Sequence, residues 1–240
     1  MRTNSILIAW GGLLMAGAAF AQIPPLQQEW QSLRFQQTVD PLFPVRLSQA
    51  GVTEGWAHVA ISTDATGKLV EWLVVGYSYP EFAEAAVAAI KQWKFEPARL
   101  HGEPVGTAVK LLFHYEGKGV VVSSGNNSDF LEAWNMRLMA GRYAYRPCSL
   151  RELDRIPLPI VTVAPQYPKE LADQGVKGRV TVEFYIDETG AIRVPAVSGN
   201  DNSELTALAV AALRQWKFEP PTRNGVAVLV KASQVFNFGP

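Results

Sequence analysis

An internal repeat constrains this sequence more than any other feature. The segment Trp93-Lys94-Phe95-Glu96-Pro97 recurs letter for letter as Trp216-Lys217-Phe218-Glu219-Pro220, at an offset of 123 residues. At the same offset, Asp64-Ala65-Thr66-Gly67 matches Asp187-Glu188-Thr189-Gly190. Further matches keep this register or slip by one residue: Gly102 with Gly225, Phe113 with Phe236, and Phe43-Pro44 with Tyr167-Pro168. Matches spread over so much of the chain in one register indicate two copies of one structural unit.

The second copy shows the predicted order of elements most clearly. A short helix is expected to begin at Pro168 and to end before Gly175, because Pro suits the first turn of a helix and Gly the position after the last. Alternating apolar and polar residues over 179–186 predict a strand with one buried face. The Asp-x-Thr-Gly step predicts a hairpin turn in which Gly takes a positive φ. A return strand is then predicted from Ile192 to Val197.

A second helix and a last strand complete the unit. The helix is predicted by apolar residues that recur on one face: Leu205, Leu208, Ala209, Ala212, Leu213 and Trp216. Pro97 and Pro220 prevent either helix from continuing. The last strand is predicted from Val226 to Phe238, with Val105 to Tyr115 as its counterpart. The fold class is therefore α+β, with two tandem α-β-β-α-β modules, each a three-stranded antiparallel sheet packed with helices.

The repeat also predicts the domain boundaries. The first module, the more diverged one, is expected to span residues 41–117 and the second residues 165–240. Residues 22–40 form a polar, Gln-rich N-terminal segment. Residues 118–164 are predicted to be a linker, in which Phe130, Trp134 and Leu138 share one face if Asp129 to Met139 is a helix.

The first residues have the layout of a secretory signal. Arg2 precedes an apolar run of 15 residues, Ile6 to Phe20, and small residues stand at the cleavage positions before Gln22. A signal peptide of residues 1–21, cleaved between Ala21 and Gln22, predicts a periplasmic mature chain without stable membrane insertion. The alternative is an inner-membrane protein anchored by an uncleaved N-terminus, although a spanning helix needs roughly 17–25 apolar residues.

Charge and reactive residues exclude several function classes. Lys plus Arg and Asp plus Glu number 22 each, so no basic excess favours nucleic acid as a partner. The single cysteine, Cys148, forms no intramolecular disulfide and is expected to be a buried or linker thiol. His58, His101 and His114 are spaced too widely for a metal motif and are expected at the surface. With no nucleophile or acid–base set, we expect no enzymatic activity, no cofactor and no metal.

Residues of the second copy resemble a known family signature. That signature is carried by Pro165-Gln166-Tyr167-Pro168, Gly175-x-x-Gly178, the alternating strand that ends at Asp187-x-x-Gly190, Trp216-Lys217-Phe218-x-Pro220, Gly225 and Phe236. It resembles the C-terminal domain of TonB-type energy transducers. The first copy retains Trp93, Phe95 and Pro97 but replaces the Tyr-Pro pair with Phe43-Pro44. Trp93 and Trp216 lie on apolar helix faces, so both are expected in the core.

The resemblance implies a periplasmic protein-interaction function. Domains of this family bind the box peptides of outer-membrane receptors by adding them as a strand to their sheet, linked indirectly to motor subunits in the inner membrane. It implies that the last strand is the binding edge, through the following residues: Val228, Leu229, Val230, Lys231, Ala232, Ser233, Gln234 and Val235. The alternative function is a periplasmic structural adaptor that bridges other envelope proteins without a role in energy transduction.

Overall fold

The computed structural model describes residues 30–117, 119–125, 144–197 and 203–239. The predicted signal peptide, its cleavage site at Ala21 and Gln22, and the predicted linker helix from Asp129 to Met139 lie outside these residues.

The described residues of the first module form two helices and nine strands. Its helices are α1 (Val45–Gln49) and α2 (Pro80–Ile90). Its strands are β1 (Trp30–Gln31), β2 (Arg34–Gln37), β3 (Glu54–Thr63), β4 (Leu69–Tyr77), β5 (Lys94–Glu96), β6 (Ala98–Leu100), β7 (Glu103–Val105), β8 (Thr107–Glu116) and β9 (Gly119–Gly125). The central sheet is antiparallel in the order β4-β3-β8-β9.

Among the described residues, the second module repeats this plan with one central strand fewer. Its helices are α3 (Lys169–Asp173) and α4 (Ser203–Leu213). Its strands are β10 (Pro159–Val161), β11 (Gly178–Ile186), β12 (Ile192–Val197), β13 (Lys217–Phe218), β14 (Thr222–Arg223), β15 (Val226–Ala227) and β16 (Val230–Phe238). The central sheet is antiparallel in the order β12-β11-β16. The α+β class, the tandem modules and the α-β-β-α-β order of the main elements are confirmed.

Each central sheet buries one face against its longer helix. In the second module, α4 contributes Leu205, Ala209 and Leu213 to a core that also contains Val180, Val182, Phe184 and Phe236. The first module has an equivalent core around Phe82, Ala86, Ile90, Phe113 and Tyr115. Small residues in the middle of each helix allow its backbone to approach the sheet closely, as the apolar helix stripes predict.

The two hairpin turns are built alike. Oδ1 of Asp187 accepts hydrogen bonds from the amide and hydroxyl of Thr189 at 3.0 and 2.6 Å and from the amide of Ala191 at 3.0 Å. Asp64 makes the same three bonds in the first module. Gly190 has φ +83, and a Cβ there would overlap the carbonyl oxygen of Phe218. The Asp-x-Thr-Gly and Trp-Lys-Phe-Glu-Pro repeats are therefore one packed unit, in which the turn needs glycine because the second segment lies against it.

The two tryptophans anchor segments upstream of the predicted modules. Nε1 of Trp93 donates to the carbonyl of Val39 and Nε1 of Trp216 to that of Val163, both at 2.8 Å. Next to these bonds, β2 pairs with β5 and β10 pairs with β13. The sequence carries this similarity as Val-x-Pro-x-aromatic-Pro, at residues 39–44 and 163–168. The repeat thus extends upstream of residues 41 and 165.

The last strands differ from the prediction in each copy. The strand predicted from Val226 to Phe238 divides into β15, which pairs with β14, and β16, with residues 228–229 between them. In the first copy, Gly106 separates β7 from β8. The first module also has four central strands rather than three. Its fourth strand, β9, comes from the segment predicted to be linker, because it folds back on β8 as a hairpin.

Residues 144–158 of the predicted linker contact both modules, and we call this segment the strap. Tyr145 stacks on Tyr77 with ring centroids 5.2 Å apart and donates its hydroxyl proton to Glu188 at 3.2 Å. The carboxylate of Asp154 accepts hydrogen bonds from the backbone amides of Asn224 and Gly225 at 2.7 and 2.9 Å. The strap is therefore an ordered part of the fold rather than only an extended connection.

The sheet faces opposite the longer helices, here called the second faces, share a buried contact between the two modules. Ala60 and Val75 of the first module share a buried cluster with Tyr185, Val194 and Leu229 of the second. At the margin of this interface, Nε of Arg193 donates to Oε1 of Glu71 at 2.5 Å, and the amide of Val194 donates to Oε2 at 3.1 Å. One carboxylate thus contacts the neighbouring module through a charged and a backbone donor, a favourable geometry for a partly buried pair.

The surface position expected for His58 is wrong. Its side chain lies on the second face of β3, where Trp56 is 5.1 Å away between ring centroids, and only 8% of the residue is exposed. Burial, and to a smaller extent the nearby charge of Lys110, lower the pKa of His58 to about 4. The strand alternation was correct, but it could not show that the face opposite the helix is also covered.

Candidate partner-binding edge

Strand β16 is fixed on one side by β11. The pairing runs from Gly178 opposite Phe238 to Ile186 opposite Val230 without a shift in register. Because side chains alternate along a strand, Val230, Ala232, Phe236 and Phe238 face α4 and its core. The other side of β16 is an edge of the three-stranded sheet.

The strap identifies which backbone groups of β16 point away from β11. The amide of Lys231 donates to the carbonyl of Cys148 at 3.4 Å, and the amide of Cys148 donates to the carbonyl of Leu229 at 2.8 Å. Backbone groups of alternate residues point to the same side of an antiparallel strand. Ser233, Val235 and Asn237 therefore direct their amides and carbonyls outward, and within the described ranges no strand pairs with them.

The residues predicted for strand addition do not all lie on this open edge. The amide of Val228 donates to the carbonyl of Pro221 before β16 begins, and Leu229 is buried in the interface between the modules. Val230 is buried, and Lys231 pairs with Glu183 at 3.2 Å as well as with Cys148. Ala232 and Gln234 are half-buried with backbones turned to β11, whereas Ser233 and Val235 are exposed.

Asn237 belongs with these residues, although the predicted range stopped at Val235. It is exposed and continues the outward series of Ser233 and Val235. Strand alternation over the full length of β16 is the signal that would have found it. The structure therefore confines the open edge to residues 233–237, because Cys148 already occupies the edge beside Val230.

The family-signature residues lie behind this edge and shape it. The hydroxyl of Tyr167 donates to the carbonyl of Val176, and its ring lies 5.9 Å from that of Phe238. The ring of Trp216 lies 5.8 Å from that of Phe236. These two aromatic pairs support β16 from the helix side of the sheet.

The remaining signature residues serve turns and helix ends. Pro168 is the N-cap of α3, Gly175 follows that helix with φ +67, and a Cβ on Gly178 would lie 2.9 Å from a methyl group of Leu205. Asp187 and Gly190 form the hairpin turn described above, Phe218 packs on Phe184 at 6.1 Å, and Pro220 follows β13. In the first module, Trp93 and Phe95 are buried with their rings 6.2 Å apart, and Pro97 follows β5.

Charged side chains stabilise the part of the strap that pairs with the end of β16. The guanidinium of Arg146 donates to both carboxylate oxygens of Glu152, and the amide of Ser149 donates to Oε2 at 2.8 Å. These bonds, chiefly the one from Arg146, lower the pKa of Glu152 to about 2. Cys148, which pairs with Val230, thus lies in a segment whose conformation is stabilised by the bonds of Arg146 and Ser149 to Glu152.

The first module covers its equivalent edge itself. Strand β8 is the counterpart of β16, and β9 pairs with its outer side from Glu116 opposite Gly119 to Lys110 opposite Gly125. The first module thus presents β9, not β8, at this side of its sheet. The two modules have related folds, but they differ at the edge where a partner strand is expected.

Neither a membrane helix nor a metal cluster was found in the part of the chain that the structure describes. No helix there has the length and apolar character needed to cross a membrane. The same residues include no group of three or more His, Cys, Asp or Glu side chains arranged to hold a metal ion.

Comparison with known proteins identifies similarity in both modules. The family model described as Gram-negative bacterial TonB protein C-terminal matches residues 40–116 and 163–240. Protein TonB of Vibrio cholerae serotype O1 (strain ATCC 39315 / El Tor Inaba N16961) is 32% identical over 77 residues, 32% of this chain and 32% of that protein. The match thus spans about a third of that relative's length. The solution NMR structure of the Pseudomonas aeruginosa TonB C-terminal domain is 30% identical and covers 39% of this chain and 93% of its own, with a TM-score of 0.33.

Proposed function

The chain belongs to the family of Gram-negative bacterial TonB protein C-terminal domains, and from this membership we propose that its second module binds extended peptides of envelope proteins by strand addition. The partners are box peptides of outer-membrane receptors, and the binding serves transport across that membrane. The chain acts in the periplasm after its signal peptide is removed, and any connection to motor subunits is indirect. It acts as an interaction protein rather than an enzyme.

One observation carries this proposal. β16 pairs with β11 over its whole length without a register shift, yet its outward amides and carbonyls at Ser233, Val235 and Asn237 have no described strand beside them. A row of backbone N–H and C=O groups that no strand pairs with at a sheet edge is a template for another strand. Affinity in strand addition comes mainly from main-chain hydrogen bonds, and side-chain contacts add specificity.

The edge is also protected against uncontrolled pairing. Its open length is short, its exposed residues include the polar Ser233 and Asn237, and Lys231 with Glu183 places charges beside it. Short, polar and charged edges resist aggregation. A segment that pairs here must therefore fit a restricted length and position, which supports selective binding of a partner.

A pair of neighbouring proline substitutions tests the proposal. Val235→Pro removes an outward donor and places the pyrrolidine ring on the open edge, while the pairing of β16 with β11 is retained. We expect it to weaken the binding of a receptor box peptide at least about tenfold, with an unchanged circular dichroism spectrum. Val235→Ala should change the affinity less than about threefold, because the backbone makes the contacts. Calorimetric titration of the full chain against a panel of box peptides measures both.

Gln234→Pro is the matched control for position. Its amide faces β11, so proline there removes a bond within the sheet and should lower the melting temperature. Strand addition at this edge is wrong if folded Val235→Pro binds peptides like the parent. If no box peptide binds the parent protein, the structural adaptor becomes the better account.

A further inference from the structure

We infer that the partner segment carries two apolar, preferably β-branched, residues separated by one residue. These two side chains pack beside Phe236 and Phe238, as two side chains of β9 pack beside the counterparts of these residues in the first module. This inference rests on the proposed function, since it concerns the same edge. It identifies the partner by its side-chain pattern, whereas strand addition alone requires only a backbone.

The two modules can be compared residue by residue because their sheets share one register. Ala57 lies opposite Phe113 in the first module, and Val180 lies opposite Phe236 in the second. Both pairs are related by the 123-residue offset of the repeat. Tyr115 is likewise the counterpart of Phe238, and Leu112 and His114 are the counterparts of the outward residues Val235 and Asn237.

Strand β9 shows what an added strand contributes at this position. Val122 lies opposite Phe113 and Val120 opposite Tyr115, and both valines pack against the core on the α2 side of the sheet. Val121 points to the other face and is 64% exposed. The strand therefore presents two β-branched side chains to the core and one to solvent.

The second module has the same aromatic surroundings but no described fourth strand. Phe113 lies 5.7 Å from Trp93, as Phe236 lies 5.8 Å from Trp216. Tyr115 lies 6.4 Å from Phe43, as Phe238 lies 5.9 Å from Tyr167. Phe113 and Tyr115 are fully buried, whereas Phe236 and Phe238 retain 7% and 8% exposure, and Trp216 is half-buried where its counterpart Trp93 is buried. Two positions for apolar side chains are thus preserved at the edge.

A partner strand can fill these two positions in either direction. The hairpin forces β9 to run antiparallel to β8, and a segment from another molecule has no such restraint. Alternate side chains of an extended segment project to one face in either direction, so the same two positions are filled. Cys148 limits the site at the other end, because it pairs with Val230.

The chain supplies its own probe for this inference. A synthetic peptide with the sequence of residues 119–125, made soluble by terminal lysines, is titrated calorimetrically into the full-length protein. We expect one binding site per chain, lost in the Val235→Pro protein. In the peptide, Val120→Asp and Val122→Asp should each weaken binding at least about tenfold, since each would place a charge against the apolar face. Val121→Asp is the matched control and should weaken binding less than about threefold.

The outcomes separate this inference from the function it rests on. If receptor box peptides bind and Val235→Pro blocks them, strand addition stands. The side-chain pattern alone would then be overturned by equal losses of affinity for the three aspartate peptides, or by no binding of the parent peptide. If neither the parent peptide nor any box peptide binds, both proposals fail. A larger loss of affinity for the Val120→Asp and Val122→Asp peptides than for the Val121→Asp peptide supports the side-chain pattern.

Discussion

Replacing Trp216 by alanine is expected to destabilise the second module by about 3 kcal/mol, the lower end of the range for truncating a large aromatic side chain, because Trp216 is half-buried at the margin of the core rather than enclosed in it as the sequence predicted. Trp216 lies three residues after the end of α4. Its ring centroid is 5.8 Å from that of Phe236 and 6.1 Å from that of Phe218, and its Nε1 donates to the carbonyl of Val163. Its removal leaves a cavity and also releases the segment before α3. Since domains have only about 5–15 kcal/mol of stability, the loss is a large part of the total.

Scanning calorimetry measures this effect as a lower melting temperature, by more than about 10 °C for a module of this size. The first module keeps its own core, so its amides in β3 and β8 should retain their protection from hydrogen exchange. Trp72→Ala is the control, because Trp72 is 38% exposed on β4 and its truncation should have a much smaller effect. Equal melting curves for Trp216→Ala and the parent would show that Trp216 is not a packing anchor.

Replacing Gly190 by alanine is expected to cost about 2–4 kcal/mol, from two sources. A non-glycine residue at φ +83 loses about 1 kcal/mol or more. The added Cβ also overlaps the carbonyl oxygen of Phe218, which belongs to the backbone and is held by a 2.9 Å bond between the Phe218 amide and the carbonyl of Gly190. Forced overlap of this kind typically costs about 1–3 kcal/mol.

Gly225→Ala separates these two contributions. Gly225 also has a positive φ, +75, but a Cβ there meets no atom within 4 Å. Its substitution should therefore cost only about 1 kcal/mol. Urea unfolding of both variants gives the comparison, and equal costs would contradict the proposed close packing of the hairpin turn against the Trp-Lys-Phe-Glu-Pro segment.

Local sequence patterns predicted the parts of this fold that are governed by local geometry. The apolar stripe from Leu205 to Leu213 forms a helix on the sheet, and Asp187 caps the turn that its spacing predicted. Glycine, proline and short capping side chains restrict the backbone near themselves, so their effects can be inferred from neighbouring residues. The same reasoning placed Val180, Val182 and Phe184 on the buried face of β11.

Contacts between distant segments were beyond that reasoning. Val120, Val121 and Val122 form a short apolar run, and only the paired strand shows that they extend the sheet beside β8. His58 was expected at the surface because alternation along β3 does not show that the sheet face opposite the helix is partly covered by the other module. Cys148 likewise pairs with Val230, a contact between distant segments that no local pattern predicts.

These long-range contacts also determine how much of the candidate edge is available. The family resemblance implied a binding edge from Val228 to Val235. The packing of Leu229 between the modules and the pairing of Cys148 restrict the open part to residues 233–237. Neither restriction has a signal in the alternation of β16 itself, since both partners lie elsewhere in the chain.

Residue-resolved hydrogen exchange with a bound peptide tests the central claim of strand addition most directly. In the parent protein without peptide, the amides of Ala232, Gln234 and Phe236, which face β11, should exchange slowly, and those of Ser233, Val235 and Asn237 should exchange quickly. A saturating receptor box peptide, followed by NMR, is predicted to slow exchange at two or more of these three outward amides and to leave the inward ones nearly unchanged. Peptide binding that leaves all three outward amides in fast exchange would contradict strand addition at β16.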